Sequence, residues 1–182
     1  MDNLKIEELL SKVDKIRESE KVDLSSKEDL AIGIMNLISI EEHLYFSYKK
    51  TNDENFLTLL NEVREMRKNL LEKIVKNPKG EVWCISKHLL SGSMRFMEVG
   101  TKKLNENKKD EAKDFFEKAY QLWNIFWGLN LDLISAKDID NSEMTNSNTM
   151  SFQNDNSEKK AEVSLFSKLG SAIQKMLNCC KE

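Results

Sequence analysis

Cys84 and His88 stand four residues apart in a stretch with helical apolar spacing, which puts a thiol and an imidazole on one helix face. A second pair, Cys179 and Cys180, lies near the end of the chain. If the terminal segment folds back onto the rest, these four residues could supply the sulfur and nitrogen ligands of a closed, structural zinc site. Against this, the paired-cysteine spacing typical of zinc modules is missing, and adjacent cysteines bind one ion awkwardly. The plainer reading makes Cys84 a small core residue, His88 a helix-edge residue and the terminal cysteines exposed thiols.

A second metal reading places a carboxylate-bridged pair inside a helical bundle, with Glu41, His43, Glu62 and Glu98 as candidate ligands. Glu41 stands out because the apolar stripe Ile34, Leu37, Leu44 passes through its position. Di-iron bundles of the ferritin type use Glu-x-x-His on two helices, and this chain has that motif nowhere. The simpler expectation for Glu41 is a buried carboxylate paired with Arg67 or Arg95.

Catalytic patterns are sparse. Neither His43 nor His88 follows an arginine at the short distance seen in toxin-type helical ribonucleases, and no glycine-rich phosphate loop is present. The two histidines suggest no Ser-His-Asp arrangement. No catalytic or cofactor-binding residue is therefore assigned, and no cofactor is expected unless the zinc site or the carboxylate-bridged metal pair forms.

The elements that would position these residues are helical. One proline and six glycines in 182 residues leave little to break helices, and apolar residues recur at spacings of three and four. The spacing predicts an all-α chain built as an antiparallel, up-down-up-down four-helix bundle over residues 25–137. Residues 1–24 add an N-terminal amphipathic helix with Leu4, Ile6, Leu9, Leu10, Val13 and Ile16 as its stripe. Within the bundle, Ser25 with Glu28 and Thr51 with Glu54 read as capping boxes that start two helices. The second of these runs to about Lys76 before Asn77-Pro78-Lys79-Gly80. Two more helices are predicted, from Glu81 to about Asn105 and from Asp110 to about Ala136, and short connections force such neighbours to run antiparallel.

Residues 138–156 are rich in Asn, Ser, Thr and Asp and read as a flexible polar linker. Residues 157–182 regain helical spacing, with Leu165, Phe166, Leu169, Ile173, Met176 and Leu177 on one side. An apolar helix face on a tether needs something to cover it. Tyr120, Trp123 and Trp127 span more than one face of their helix and are candidate anchors for such a contact.

Phe96, Val99 and Gly100, followed by Ala112, Phe116 and Ala119, resemble the two helices of one tetratricopeptide repeat over about residues 96–124. Small residues at Gly100, Ala112 and Ala119 let two helices approach while Phe116 fills the gap. Lys103 stands where the family's first helix carries an aromatic, the closing proline is absent and there is no second copy. The resemblance implies a helical hairpin, and through the family's habit, peptide binding.

The balance of 28 basic against 31 acidic residues, a net charge of -3, excludes recruitment of nucleic acid or an anionic membrane by bulk charge. The amino-terminal residues lack the apolar run of a secretory signal, and no stretch approaches the ~18 apolar residues of a membrane span. Three cysteines are too few for a disulfide framework, so the expected location is cytoplasmic. Glu158, Glu162 and Glu182 offset much of the tail's lysine charge, so membrane association through that helix is expected to be weak. The leading expectation is a noncatalytic interaction or scaffold module whose tethered helix docks in cis, onto a second copy or onto another protein. A metal-binding helical bundle is the alternative, and weak peripheral membrane association the third reading.

Overall fold

The computed structural model describes residues 11–12, 15, 24–76, 80–134, 169–170 and 173. Among them are four helices and no strand: α1 (Leu24–Thr51), α2 (Asn55–Leu71), α3 (Glu81–Asn105) and α4 (Lys109–Asn130). Ser11, Lys12 and Lys15 are helical and exposed, while the apolar stripe expected of the N-terminal helix lies outside the described residues. None of the described helices is long and apolar enough to cross a membrane.

α1 packs along α2, α3 packs along α4, and a thinner contact joins α1 to α3. Burial is uneven along the helices. Ala31, Ile34 and Met35 of α1, Leu71 of α2 with Ile74 and Val75 beyond it, Leu90 of α3, and Phe126, Trp127 and Leu129 of α4 form one core. Tyr45, Phe46, Leu57, Leu59, Met97 and Leu104, from the other halves of α1, α2 and α3, are exposed.

Helix ends rest on residues that tolerate a left-handed backbone. Asn52, Asn107 and Asp132 all have positive φ. At Asn107 the amide donates to the Leu104 carbonyl while the Lys108 amide donates to that of Lys103, and at Asp132 the same pair of bonds runs to Leu129 and Gly128. Both are Schellman closures with Asn or Asp in the place glycine usually takes. The second one ends α4 at Asn130, earlier than the expected Ala136, and folds Leu133 and Ile134 back into the core.

Neither expected capping box forms. Ser25 is already inside α1. Thr51 closes α1 by donating to the Ser47 carbonyl and accepts from the Asp53 amide, while Asp53 accepts from the Asn55 amide. α2 therefore starts after Glu54 with no side-chain cap and stops at Leu71, short of Lys76, because the following residues turn inward to bury Ile74 and Val75.

Glu28 instead holds an Oε2 that has no hydrogen-bond partner. Burial, and then the neighbouring Asp29, push its carboxyl above the ordinary value of 4.5. The folded state thus favours the protonated form. The destabilising contribution is absent at low pH, grows as pH rises through the ordinary range and is complete above the folded pKa. Glu28→Gln is expected to raise the melting temperature at about pH 7 and to have no effect at about pH 3, as scanning calorimetry at the two pH values would show.

Two helix-interior glycines are expected to respond oppositely to alanine. A Cβ on Gly33 meets nothing within 4 Å, so Gly33→Ala gains about 0.5–1 kcal/mol of helix propensity. A Cβ on Gly100 falls 2.6 Å from Phe116 Cε1, so Gly100→Ala forces the ring aside and loses about 1–2 kcal/mol net after the propensity gain. Urea unfolding of the two variants measures both signs.

Candidate interaction site on the last helix

Of the candidate metal ligands, Glu41 and Glu98 are engaged with arginines. Cys84 and His88 are both exposed on α3, so Cys84 is not the core residue of the plainer sequence reading. Cys179 and Cys180 lie outside the described residues. Glu41 is paired with Arg67, at 2.7 Å from Nε to Oε1 and 3.4 Å from Nη2 to Oε2. Arg67 is 4% exposed, so this pair is a structural link between α1 and α2. The next carboxylate, Glu42, accepts from Arg95 of α3, which also donates to Glu98 at 2.6 Å. His43 and Glu62 are exposed. Among the described residues, no three His, Cys, Asp or Glu side chains are grouped as metal ligands.

The second half of α4 is where the chain brings most together. Ring centroids of Trp123, Phe126 and Trp127 lie 5.2–6.2 Å apart, Trp123 stacked with Phe126 and Trp127 edge-on to both. Trp127 is 1% exposed and belongs to the core, so it offers no free surface; Trp123 is half-buried and Tyr120 exposed. Two polar contacts tie α3 to this half: Ser93 Oγ donates to the Ala119 carbonyl at 2.8 Å, and Asn130 Nδ2 donates to Ser86 Oγ at 3.1 Å. Asn130 Nδ2 also donates to the Phe126 carbonyl at 2.8 Å.

Tyr120, Asn124 and Gly128 recur every four residues and so form one ridge of α4. The described tail residues sit on it. A Cβ on Gly128 would lie 3.0 Å from Ile134 Cδ1 and 3.1 Å from Leu169 Cδ2. A Cβ on Gly170 would lie 3.0 Å from Asn124 Nδ2 and 3.5 Å from Tyr120 Cε1. Leu169 and Ile173 are each 1% exposed and are members of the core. Leu165, Phe166, Met176 and Leu177, expected on the same face, lie outside the described residues.

Gly128, Gly170, Asn124 and Ile134 are the contact residues that apolar periodicity missed. A glycine inside an otherwise apolar helical pattern marks close approach of another backbone, and both glycines carried that signal. No family model, curated protein or solved structure matches the chain.

The Glu41–Arg67 pair makes its own prediction. Removing one partner of a largely buried ion pair strands the other, so Glu41→Ala is expected to cost about 3 kcal/mol. The double change Glu41→Leu with Arg67→Met removes both charges and is expected to recover most of that loss. A double-mutant cycle in denaturant reads the difference, and a double variant no better than Glu41→Ala would show that packing, not the stranded charge, is responsible.

Proposed function

We propose that the chain is a noncatalytic helical interaction module in which an antiparallel four-helix core offers the ridge of α4 to its own tail helix, residues 157–182, and to competing helices. The observation that carries this reading is the burial of Leu169 and Ile173 against a ridge relieved of side-chain bulk at Gly128. The contacts Ser86–Asn130, Ser93–Ala119 and Gly100–Phe116 advance along α3 as they retreat along α4, which supports opposite directions for that pair. The three-residue connections 52–54 and 106–108 support the same up-and-down path.

An amphipathic helix laid in an apolar groove is a recurrent mode of recognition, read through anchors at helical spacing. Leu169 and Ile173, four apart, are such anchors. A competing helix would present two apolar residues at that interval with a glycine or alanine after the first, because Gly170 lies against Asn124 and Tyr120. The exposed Tyr45, Phe46, Leu57 and Leu59 at the far ends of α1 and α2 support a second contact surface away from the tail.

Hydrogen exchange on the full chain tests the docking. Leu169→Asp combined with Ile173→Asp is expected to speed amide exchange across residues 119–134 at least tenfold, with exchange across residues 96–112 unchanged. A peptide of residues 157–182 added to that variant should restore the slow rates. Unchanged exchange over 119–134 in the variant would remove the basis of the proposal.

A further inference from the structure

Asn124 sits on the ridge of α4 that meets the tail. It is 2% exposed, and its Oδ1 has no hydrogen-bond partner among the described residues. Gly170 of the tail stands over the amide: a Cβ there would lie 3.0 Å from Nδ2, 3.7 Å from Cγ and 3.5 Å from Tyr120 Cε1. Solvent does not reach the covered oxygen, so a donor to it has to arrive on the helix that lies against it. The tail brings none, because glycine carries no side chain at that place. A buried amide oxygen that gives up water without replacement opposes docking, and a side-chain donor in the same register removes that opposition.

Size and chemistry narrow that donor. The 3.0 Å approach is tighter than an ordinary contact, so a Cβ at this place is accepted only if the amide yields by a few tenths of an ångström. A longer side chain competes with the Tyr120 ring for the same space. Serine adds one hydroxyl to alanine, and that hydroxyl can donate. It donates to Oδ1 as the amide stands, or after a half-turn of the amide that exchanges Oδ1 with Nδ2. Resting on the docking reading above, we infer that the ridge selects a partner helix with apolar residues at the places of Leu169 and Ile173 and a serine at that of Gly170. Such a helix meets Asn124 where the chain's own tail leaves it unmet, and so displaces the tail. Asn124 is then the residue that ranks helices of equal apolar content.

The full-length chain carries the test, its own residue 170 standing in for the partner's. Amide exchange across residues 119–134 reports how firmly the helix is docked. Gly170→Ser is expected to exchange about fivefold more slowly than Gly170→Ala, which has the same Cβ without the hydroxyl. The difference should vanish in an Asn124→Ala background and in Asn124→Leu, which keeps the volume. Exchange across residues 96–112 is the control for an intact core. Equal rates in the serine and alanine variants overturn the inference. So does a serine advantage that persists without Asn124, because the hydroxyl then bonds elsewhere, as to its own helix backbone. Both of those outcomes leave the docking itself standing. Docking fails only if Leu169→Asp with Ile173→Asp leaves exchange over 119–134 unchanged, and this inference then fails with it.

Discussion

Where Gly128 lacks a side chain, two distant segments reach the backbone of α4: Ile134, folded back by the closure at Asp132, and Leu169 from the tail. That approach seals the end of the molecule holding nearly all of the buried apolar residues. Any side chain at Gly128 would have to displace one of the two, and with it the cover over Phe126 and Trp127. The αL residue, the missing Cβ and the tail contact therefore act together. Without the turn at Asp132, Leu133 and Ile134 would continue along the helix axis instead of returning over Gly128.

Helix existence was legible in the sequence, and helix ends were not. Apolar spacing and the Pro78–Gly80 break located α3 at its observed limits, and α4 begins within one residue of the expected start. Periodicity failed at the far ends of α2 and α4 because Ile74, Val75, Leu133 and Ile134 are buried whether the chain continues as helix or turns inward. The same apolar residue satisfies both outcomes, so the pattern cannot distinguish them. The decisive residue was Asp132, whose left-handed backbone leaves no mark in hydropathy. Capping boxes failed for a related reason: Ser25 and Thr51 have the right chemistry, but α1 already contains Ser25 and ends on Thr51.

Polar residues determine which of several similar packings the core adopts. Leucine-rich faces slide past one another at little cost, whereas Ser93 to Ala119 and Asn130 to Ser86 fix the register of α3 on α4. Adjacent carboxylates on α1 do the same work between helices, Glu41 taking Arg67 of α2 and Glu42 taking Arg95 of α3. Glu41, a candidate metal ligand in the sequence, thereby joins α1 to α2, while its neighbour Glu42 joins α1 to α3. The sequence contained the residues of both links, but assigning each arginine required knowing which face of α1 each helix meets.

Magnitudes place the tail contact near balance. Ile134 and Leu169 are 35 residues apart in the chain, and closing a loop of that length costs on the order of 3 kcal/mol beyond a constant. Burying Leu169 and Ile173 returns about 3–6 kcal/mol together, and the unmet Asn124 Oδ1 under Gly170 subtracts from it. Under the proposed docking, so small a margin would leave the tail open to replacement by a better-fitting helix. Had the contact been deeper, as for a fifth core helix, the ridge of α4 would be permanently filled. In that proposal, the glycine at 170, where a Cβ would lie 3.0 Å from Asn124 Nδ2, limits the contact to Leu169 and Ile173.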